Sequence, residues 1–380
     1  MRSVCRLVIA AALCIAAVVP AAWCGAKSEA AGKDAGIVTV TDLAGRQVTL
    51  KLPVKKVNIN ASGSGGAFLA MSALLGTEVA DYLSSWDAGL KNNRFDMYEE
   101  YRSKIPALDQ VPVVGGIGTD LNLEKLIQLK PDVVIWSVGS RDQAKEIAEP
   151  ALAAAGIPIV YMDYHAETIE NHTKTTRLLG RLFGKEARAE EIIKFYTDNR
   201  NMINERLAKT NTKPLVYVEL GSGYNVYGNT YGDTMWGAMI KNTGGTNMAE
   251  GIVQNYAPVN AELILSKNPD IIILAGSYWP ANPDSVRMGY LSNEADTQQQ
   301  IRAYLNRPGW PQLDAVKNKR FFAIYHGLAR DLYDAAAFAF LAKCIHPDLF
   351  VDVDPMGMLQ EYYDRFLPYD LYGVWMTHLE

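Results

Sequence analysis

Short runs rich in β-branched residues alternate along the chain with longer stretches of helical periodicity. Residues 54–59 precede a helical pattern at 66–75, residues 133–136 one at 143–155, and residues 157–162 one at 168–183. Further apolar runs at 215–220, 271–275 and 321–325 repeat the pattern in the second half. Strand then helix, repeated, predicts an α/β fold of parallel sheets covered by helices. Such sheets gather their ligand-binding loops at the carboxyl ends of the strands.

An internal repeat sharpens this reading. Asn122-Leu123-Glu124, followed by Pro131-Asp132-Val133-Val134-Ile135, reappears 138 positions later as Asn260-Ala261-Glu262 and Pro269-Asp270-Ile271-Ile272-Ile273. In each copy Asn is placed to cap a short helix, Glu falls in its first turn, and Pro-Asp ends it ahead of an apolar strand. Between the copies, residues 185–209 hold no proline or glycine and put Ala189, Ile192, Ile193, Tyr196, Ile203 and Leu207 on one stripe. That predicts an amphipathic helix of about 25 residues, roughly 37 Å long. The expected architecture is two similar lobes, residues 37–184 and 210–380, joined by one long α-helix at 185–209.

The amino terminus reads differently. Arg2 and Arg6 precede an apolar run from Leu7 to Val19 and then Pro20-Ala21-Ala22-Trp23-Cys24, too short a run to span a bilayer as a helix. Residues 1–24 are expected to be an export signal and 25–36 a small, polar tether. Ala21-Ala22-Trp23-Cys24 resembles a bacterial lipobox, with Cys24 the lipidated residue, although Trp23 departs from the pattern; cleavage at Ala21, Ala22 or Ala26 would instead release a free periplasmic protein. Three of the four cysteines lie in this leader, leaving Cys344 alone in the body, so no intramolecular disulfide is expected there.

The composition is that of a folded globular chain, 49% hydrophobic and 21% charged. The net charge of -5 includes Arg2 and Arg6, so the body beyond the leader is more acidic still, which argues against nucleic-acid binding.

Taken in order, Thr41-Asp42-Leu43-Ala44-Gly45-Arg46-Gln47-Val48, the segment 122–135, and Arg307-Pro308-Gly309-Trp310 leading to Ala315-Val316-Lys317-Asn318-Lys319-Arg320 resemble the solute-binding proteins of bacterial ABC importers for ferric siderophores, heme and cobalamin, the class with a helical backbone. The likeness runs from about residue 37 to 367. It implies a periplasmic protein, a monomer, that carries a metal chelate to a permease dimer served by a cytoplasmic ATPase. It also implies that Glu124 and Glu262 dock on the permease, one per lobe. Membrane contact would come only through a lipid anchor at Cys24.

Candidate ligand-binding residues follow the strands. Ser62-Gly63-Ser64-Gly65-Gly66 can turn backbone N–H groups and the Ser62 and Ser64 hydroxyls toward an anion, or be a tight turn alone. Trp86 and Arg141 follow the next strands, with core packing and a solvated helix start as the alternatives. In the second half, a glycine-rich loop carries Tyr224 and Tyr231, Tyr278-Trp279 follows one strand, and His326 and Arg330 follow another. Arg330 is the foremost candidate, because a guanidinium pairs with oxygen-rich groups in fork geometry, with pairing to Asp331 or Asp334 as the alternative. No catalytic residue or cofactor is expected: Gly-x-Ser-x-Gly, His-Glu-x-x-His and Cys-x-x-Cys are all absent from the sequence. A direct metal-ion or oxyanion binder is the alternative, with His165 and His326 facing each other beside Asp163 or Glu219; a periplasmic enzyme ranks below it.

Overall fold

A computed structural model describes residues 36–60 and 66–380. The assignments made for the leader, for Cys24, for nearly all of the tether, and for Ser62 and Ser64 lie outside the described residues. Two antiparallel strands, β1 (Ile37–Thr41) and β2 (Gln47–Lys51), open the chain as a hairpin. Four parallel strands follow: β3 (Val57–Ile59), β4 (Leu83–Trp86), β5 (Val133–Ser137) and β6 (Ile159–Met162), in the order β4-β3-β5-β6.

The second half contains β7 (Leu215–Leu220), β8 (Asn229–Tyr231), β9 (Thr246–Asn247), β10 (Tyr256–Pro258), β11 (Ile271–Gly276), β12 (Phe321–Tyr325) and β13 (Met376–His378). Five of these form a sheet in the order β13-β12-β11-β7-β9, while β8 and β10 pair apart. Read from β9, this sheet repeats the order of the first, and only β13 is an antiparallel addition at its edge. The strands β5 and β11 read Val-Val-Ile-Trp and Ile-Ile-Ile-Leu-Ala-Gly because both faces of a parallel sheet are covered.

The repeat does the same work in each half. Asn122 Oδ1 accepts the Lys125 amide at 2.9 Å and Asn260 Oδ1 the Leu263 amide at 2.7 Å, capping the helices Leu123–Gln128 and Ala261–Lys267. The repeated Asp reaches sideways: Asp132 Oδ2 accepts the Lys55 and Lys56 amides ahead of β3, and Asp270 Oδ2 accepts the Leu215 amide at the start of β7. Each Pro-Asp therefore stitches the entry of one strand to the entry of its neighbour.

One helical expectation is corrected. Residues 143–155 are two helices, Arg141–Ile147 and Glu149–Ala154, broken at Ala148. Pro150 has no amide to continue the first helix, but it fits the opening turn of the second.

The long helix runs Glu186–Leu207 and buries Ala189, Ile192, Ile193, Tyr196 and Ile203. It packs on the helix Ile169–Phe183 from the first half and the helix Asp334–Ile345 from the second. A second tie comes from the chain's end. Tyr369 stacks on Tyr101 at 3.9 Å and its hydroxyl meets Ser72 Oγ at 3.0 Å, while the Tyr372 hydroxyl donates to Glu100 at 2.7 Å. No described helix is long and apolar enough to cross a membrane.

Candidate ligand-binding site

The loops beyond the carboxyl ends of the strands bring together a cluster of cations, neutral imidazoles and aromatic rings. His326 follows β12 and is ringed by Tyr231 at 6.0 Å, Trp236 at 6.2 Å and Trp279 at 5.9 Å between centroids. Trp236 Nε1 donates to His326 Nδ1 at 3.0 Å, which makes Nδ1 the acceptor and leaves the proton on Nε2. Burial first, then the charges of Arg330 and Arg94, hold His326 well below the usual imidazole range.

Arg330 lies four residues on, in the left-handed backbone region at φ 70°, with only 7% of its surface exposed. Burial, and after it repulsion from Arg94, pull its guanidinium down to about 10. Arg94 is 2% exposed; its Nη1 donates to the Tyr333 hydroxyl at 3.0 Å, while Nε and Nη2 are buried without an acceptor. The nearby Asp331 carboxyl is pushed by burial up to about 8, so it is largely protonated at neutral pH and does not cancel the two cations. The site at pH 7 is therefore positive, with its histidines uncharged.

His165, after β6, belongs to the same field. It keeps a partly exposed edge, yet burial and then Arg330 pull its ring down to about 4 from 6.5. Between these values the folded chain binds fewer protons than the unfolded chain, so this contribution to stability is whole above pH 6.5 and is lost as pH falls toward 4. His165→Gln is expected to flatten that part of the acid limb in a plot of Tm against pH. An unaltered limb would show that the ring titrates normally.

The candidates from the sequence thus separate. Tyr231, Trp279, His326 and Arg330 meet around one point. Trp86 is instead a core residue, 4% exposed and packed on Phe68 and Tyr98 at 5.6 and 6.2 Å, so it offers no wall to a ligand. Arg141 starts its helix and its charge acts on Tyr161 and Asp142, away from this cluster. Tyr224 packs its ring against the core, and its carbonyl accepts from Arg307 at 2.6 Å. Tyr278 stacks on Phe95 at 6.1 Å, where the two halves of the chain touch.

The metal arrangement of His165 and His326 with Asp163 or Glu219 is not formed. Asp163 is occupied by the His165 and Ala166 amides and the Asn171 side chain, and Glu219 is held by both Arg307 nitrogens and the Tyr217 hydroxyl. Cys344 is buried in a helix, and burial raises its thiol, which suits packing and not nucleophilic attack.

Arg94 and Trp236 escaped the sequence reading. Arg94 sits in Lys91-Asn92-Asn93-Arg94, which looks like a solvated turn, and Trp236 in Met235-Trp236, which looks like an ordinary apolar helix start. The one available signal for Arg94 was its place in the loop region beyond β4, level with the loops already singled out.

The glycines of the loop 221–232 have a structural task of their own. A Cβ on Gly228 or Gly232 would collide with the carbonyls of Val259 and Val253, so both positions let the chain lie close to its neighbour. Tyr231, between them, is carried into the cluster by β8 pairing with β10.

A periplasmic binding protein family model matches residues 73–326. The TroA-like periplasmic binding protein FepB of Veillonella parvula has a solved structure that is 40% identical, with a TM-score of 0.85 over 90% of this chain and 100% of its own. The molybdate-binding protein MolA of Haemophilus influenzae is 24% identical over 86% of this chain and 90% of its own. A vitamin B12-binding protein of Photorhabdus laumondii is 29% identical over 50% of this chain and 66% of its own. On a family match that takes in both parallel sheets apart from β3 and β13, together with the long helix between them, the chain belongs to the periplasmic binding protein family.

Proposed function

We propose that this chain is the solute-binding component of an ABC importer and captures an anionic metal chelate, of the ferric-siderophore or heme type, at the Arg94–Arg330 cluster. The observation that carries this reading is the pair of buried guanidiniums that repel one another beside imidazoles too depressed to be charged. Buried like charges are costly, and an oxygen-rich anion offsets that cost while taking charge-assisted hydrogen bonds from both. Trp279, with Tyr231 beside it, adds flat apolar area with polar edges, while the fully buried Trp236 backs His326, an arrangement that suits an organic ligand better than a bare ion.

A second reading, a small oxyanion, is favoured by the length of the match to a protein named for molybdate. Native mass spectrometry of protein from its own host, with a tryptophan-fluorescence screen of ferric siderophores, heme, cobalamin and molybdate, tests both. A retained chelate supports the first reading and molybdate alone the second. Tight binding of a neutral sugar or peptide with none of these would overturn both.

The permease contact belongs to the same proposal. Glu124 and Glu262 are exposed in the first turns of two equivalent helices that precede β5 and β11, at the strand ends opposite the cluster. Attachment through Cys24 would keep the protein near its permease, and one relative, YvrC of Bacillus subtilis, is named a lipoprotein. Glu124→Lys with Glu262→Lys is expected to leave ligand affinity unchanged and to cut uptake through the cognate permease at least tenfold, since in the resembled family the glutamates at these positions dock on arginines of the permease and the change sets like charges together. Full uptake by the double variant would refute the docking assignment.

A further inference from the structure

Close to Arg330, three side chains from three elements converge in the interior. Glu167 comes from the loop after β6, His172 from the helix Ile169–Phe183, and Asp334 from the first turn of the helix Asp334–Ile345. All three are fully buried. His172 Nε2 lies 3.8 Å from Glu167 Oε2 and 3.7 Å from Asp334 Oδ2, and the three ligand atoms fall within 4.8 Å of one another.

Beyond the contact between the two carboxyls themselves, no side chain donates to any of the four oxygens. That is unusual for interior carboxylates, which are paired, hydrogen-bonded or bound to metal. The neighbouring Arg200 is directed elsewhere: its Nη1 donates to the Tyr196 hydroxyl and its guanidinium lies 3.3 Å over the Phe338 ring. Glu167 also holds a left-handed backbone, φ 53°, while its carboxyl is turned inward.

We propose that Glu167, His172 and Asp334 form a site for one divalent first-row transition-metal ion, Zn2+ by preference, which ties the loop after β6 to the helix Asp334–Ile345. The donor set is nitrogen and oxygen without thiolate, as borderline divalent ions accept. Four-coordinate Zn2+ with bonds of about 2.0–2.1 Å wants its ligands about 3.4 Å apart, so the two imidazole–carboxylate spacings close by a few tenths of an ångström.

The surroundings have the form of an outer shell. His172 Nδ1 lies 2.7 Å from the Tyr196 hydroxyl, which Arg200 holds in turn, and Nε2 lies 2.9 Å from the Tyr164 carbonyl. Without the ion, Nε2–H donates to Tyr164 and the Tyr196 hydroxyl donates to Nδ1. With it, the imidazole proton resides on Nδ1 and is accepted by the Tyr196 oxygen, while the Nε2 lone pair takes the metal. The Tyr164 carbonyl, 2.9 Å from Nε2, is then placed to serve as a fourth ligand.

Burial, followed by the Asp334 charge, raises the Glu167 carboxyl, so the metal-free pair shares one proton. Because the three ligands are enclosed and come from both halves of the chain, the ion is a fixed tie between them and not the cargo.

The mature protein, stripped with a chelator and dialysed into metal-free buffer, should take up one equivalent of Zn2+ by equilibrium dialysis with elemental analysis. Its Tm should rise by more than 3 °C. Asp334→Asn and Glu167→Gln should each lose the uptake and the Tm rise, while His165→Ala with His326→Ala, which removes the histidines of the ligand cluster, should keep one equivalent. Zinc X-ray absorption on the wild type should report one imidazole among oxygen ligands and no sulfur, a readout independent of how the variants fold. No Zn2+ uptake, two or more imidazoles, or uptake lost only in the double histidine variant would each overturn the proposal.

Discussion

Arg330→Met is expected to weaken capture of the anionic ligand by about 100-fold, and Arg94→Met by a similar factor. Truncating one member of a buried, hydrogen-bonded charge pair costs about 2–5 kcal/mol, and every 1.4 kcal/mol is about tenfold in affinity. Methionine preserves most of the side-chain volume, so the loss is of charge and hydrogen bonds and not of packing. The size of the stability change separates binding from scaffolding. In the ligand-free protein burial and then Arg94 disfavour the Arg330 charge, so part of what Arg330→Met loses in contacts is offset by relieved repulsion and its Tm should fall by no more than a few degrees, whereas Arg94→Met also gives up the hydrogen bond to Tyr333 and should fall further. Titration followed by the fluorescence of Trp236 and Trp279, beside a thermal melt of each variant, gives both numbers. Unchanged affinity in both variants with unchanged Tm would remove these residues from the site, and a large fall in Tm would make them structural.

Much of the frame was legible because it is written in local grammar. The strands β5, β6, β7, β11 and β12 and the long helix follow from apolar runs and from one uninterrupted amphipathic stripe, which burial on both faces imposes on the sequence. The paired Asn caps were legible for the same reason. What the paired aspartates do was not, since their partners, Lys55 and Leu215, are far off in sequence and are reached only across the sheet.

The site was legible by half. His326, directly after an apolar strand, and Arg330, four residues further on, announced themselves as polar residues of a strand-end loop. Arg94 and Arg141 have the same surroundings on paper, yet one is nearly fully buried beside Arg330 and the other starts a surface helix. Which of two such arginines turns inward depends on how far each loop reaches, and no periodicity encodes that. Trp86 fails in the opposite sense: it ends a strand, but the helix beginning at Gly66 puts Phe68 against its ring and closes it off.

The largest loss of stability is expected at Arg307. Its side chain is almost fully buried, with Nη1 and Nη2 on the two Glu219 oxygens at 3.0 and 2.7 Å. Its remaining donors hold the loop that leads to Tyr231: Nε on the Tyr224 carbonyl at 2.6 Å and Nη2 on the Val226 carbonyl at 2.8 Å. The rings of Tyr227, Tyr304 and Trp310 lie 4.2 to 4.5 Å from the guanidinium carbon, so the cation is sandwiched as well as paired. Arg307→Met leaves the buried Glu219 carboxyl without its cation, held by the Tyr217 hydroxyl, and two loop carbonyls without donors, a change of about 3–5 kcal/mol, or roughly 5–10 °C in Tm. Glu219→Met leaves the cation stranded and should cost a similar amount. The double variant removes both charges together, so its loss should fall short of the sum of the single losses by at least about 2 kcal/mol, and denaturant unfolding of all four proteins measures that difference directly. The loop consequence is separate: with its carbonyls released, Tyr231 is held less firmly against His326, and ligand affinity should fall in Arg307→Met at temperatures where the protein is still folded. Strictly additive single and double losses would mean that Arg307 and Glu219 act apart, and that some other contact fixes this loop.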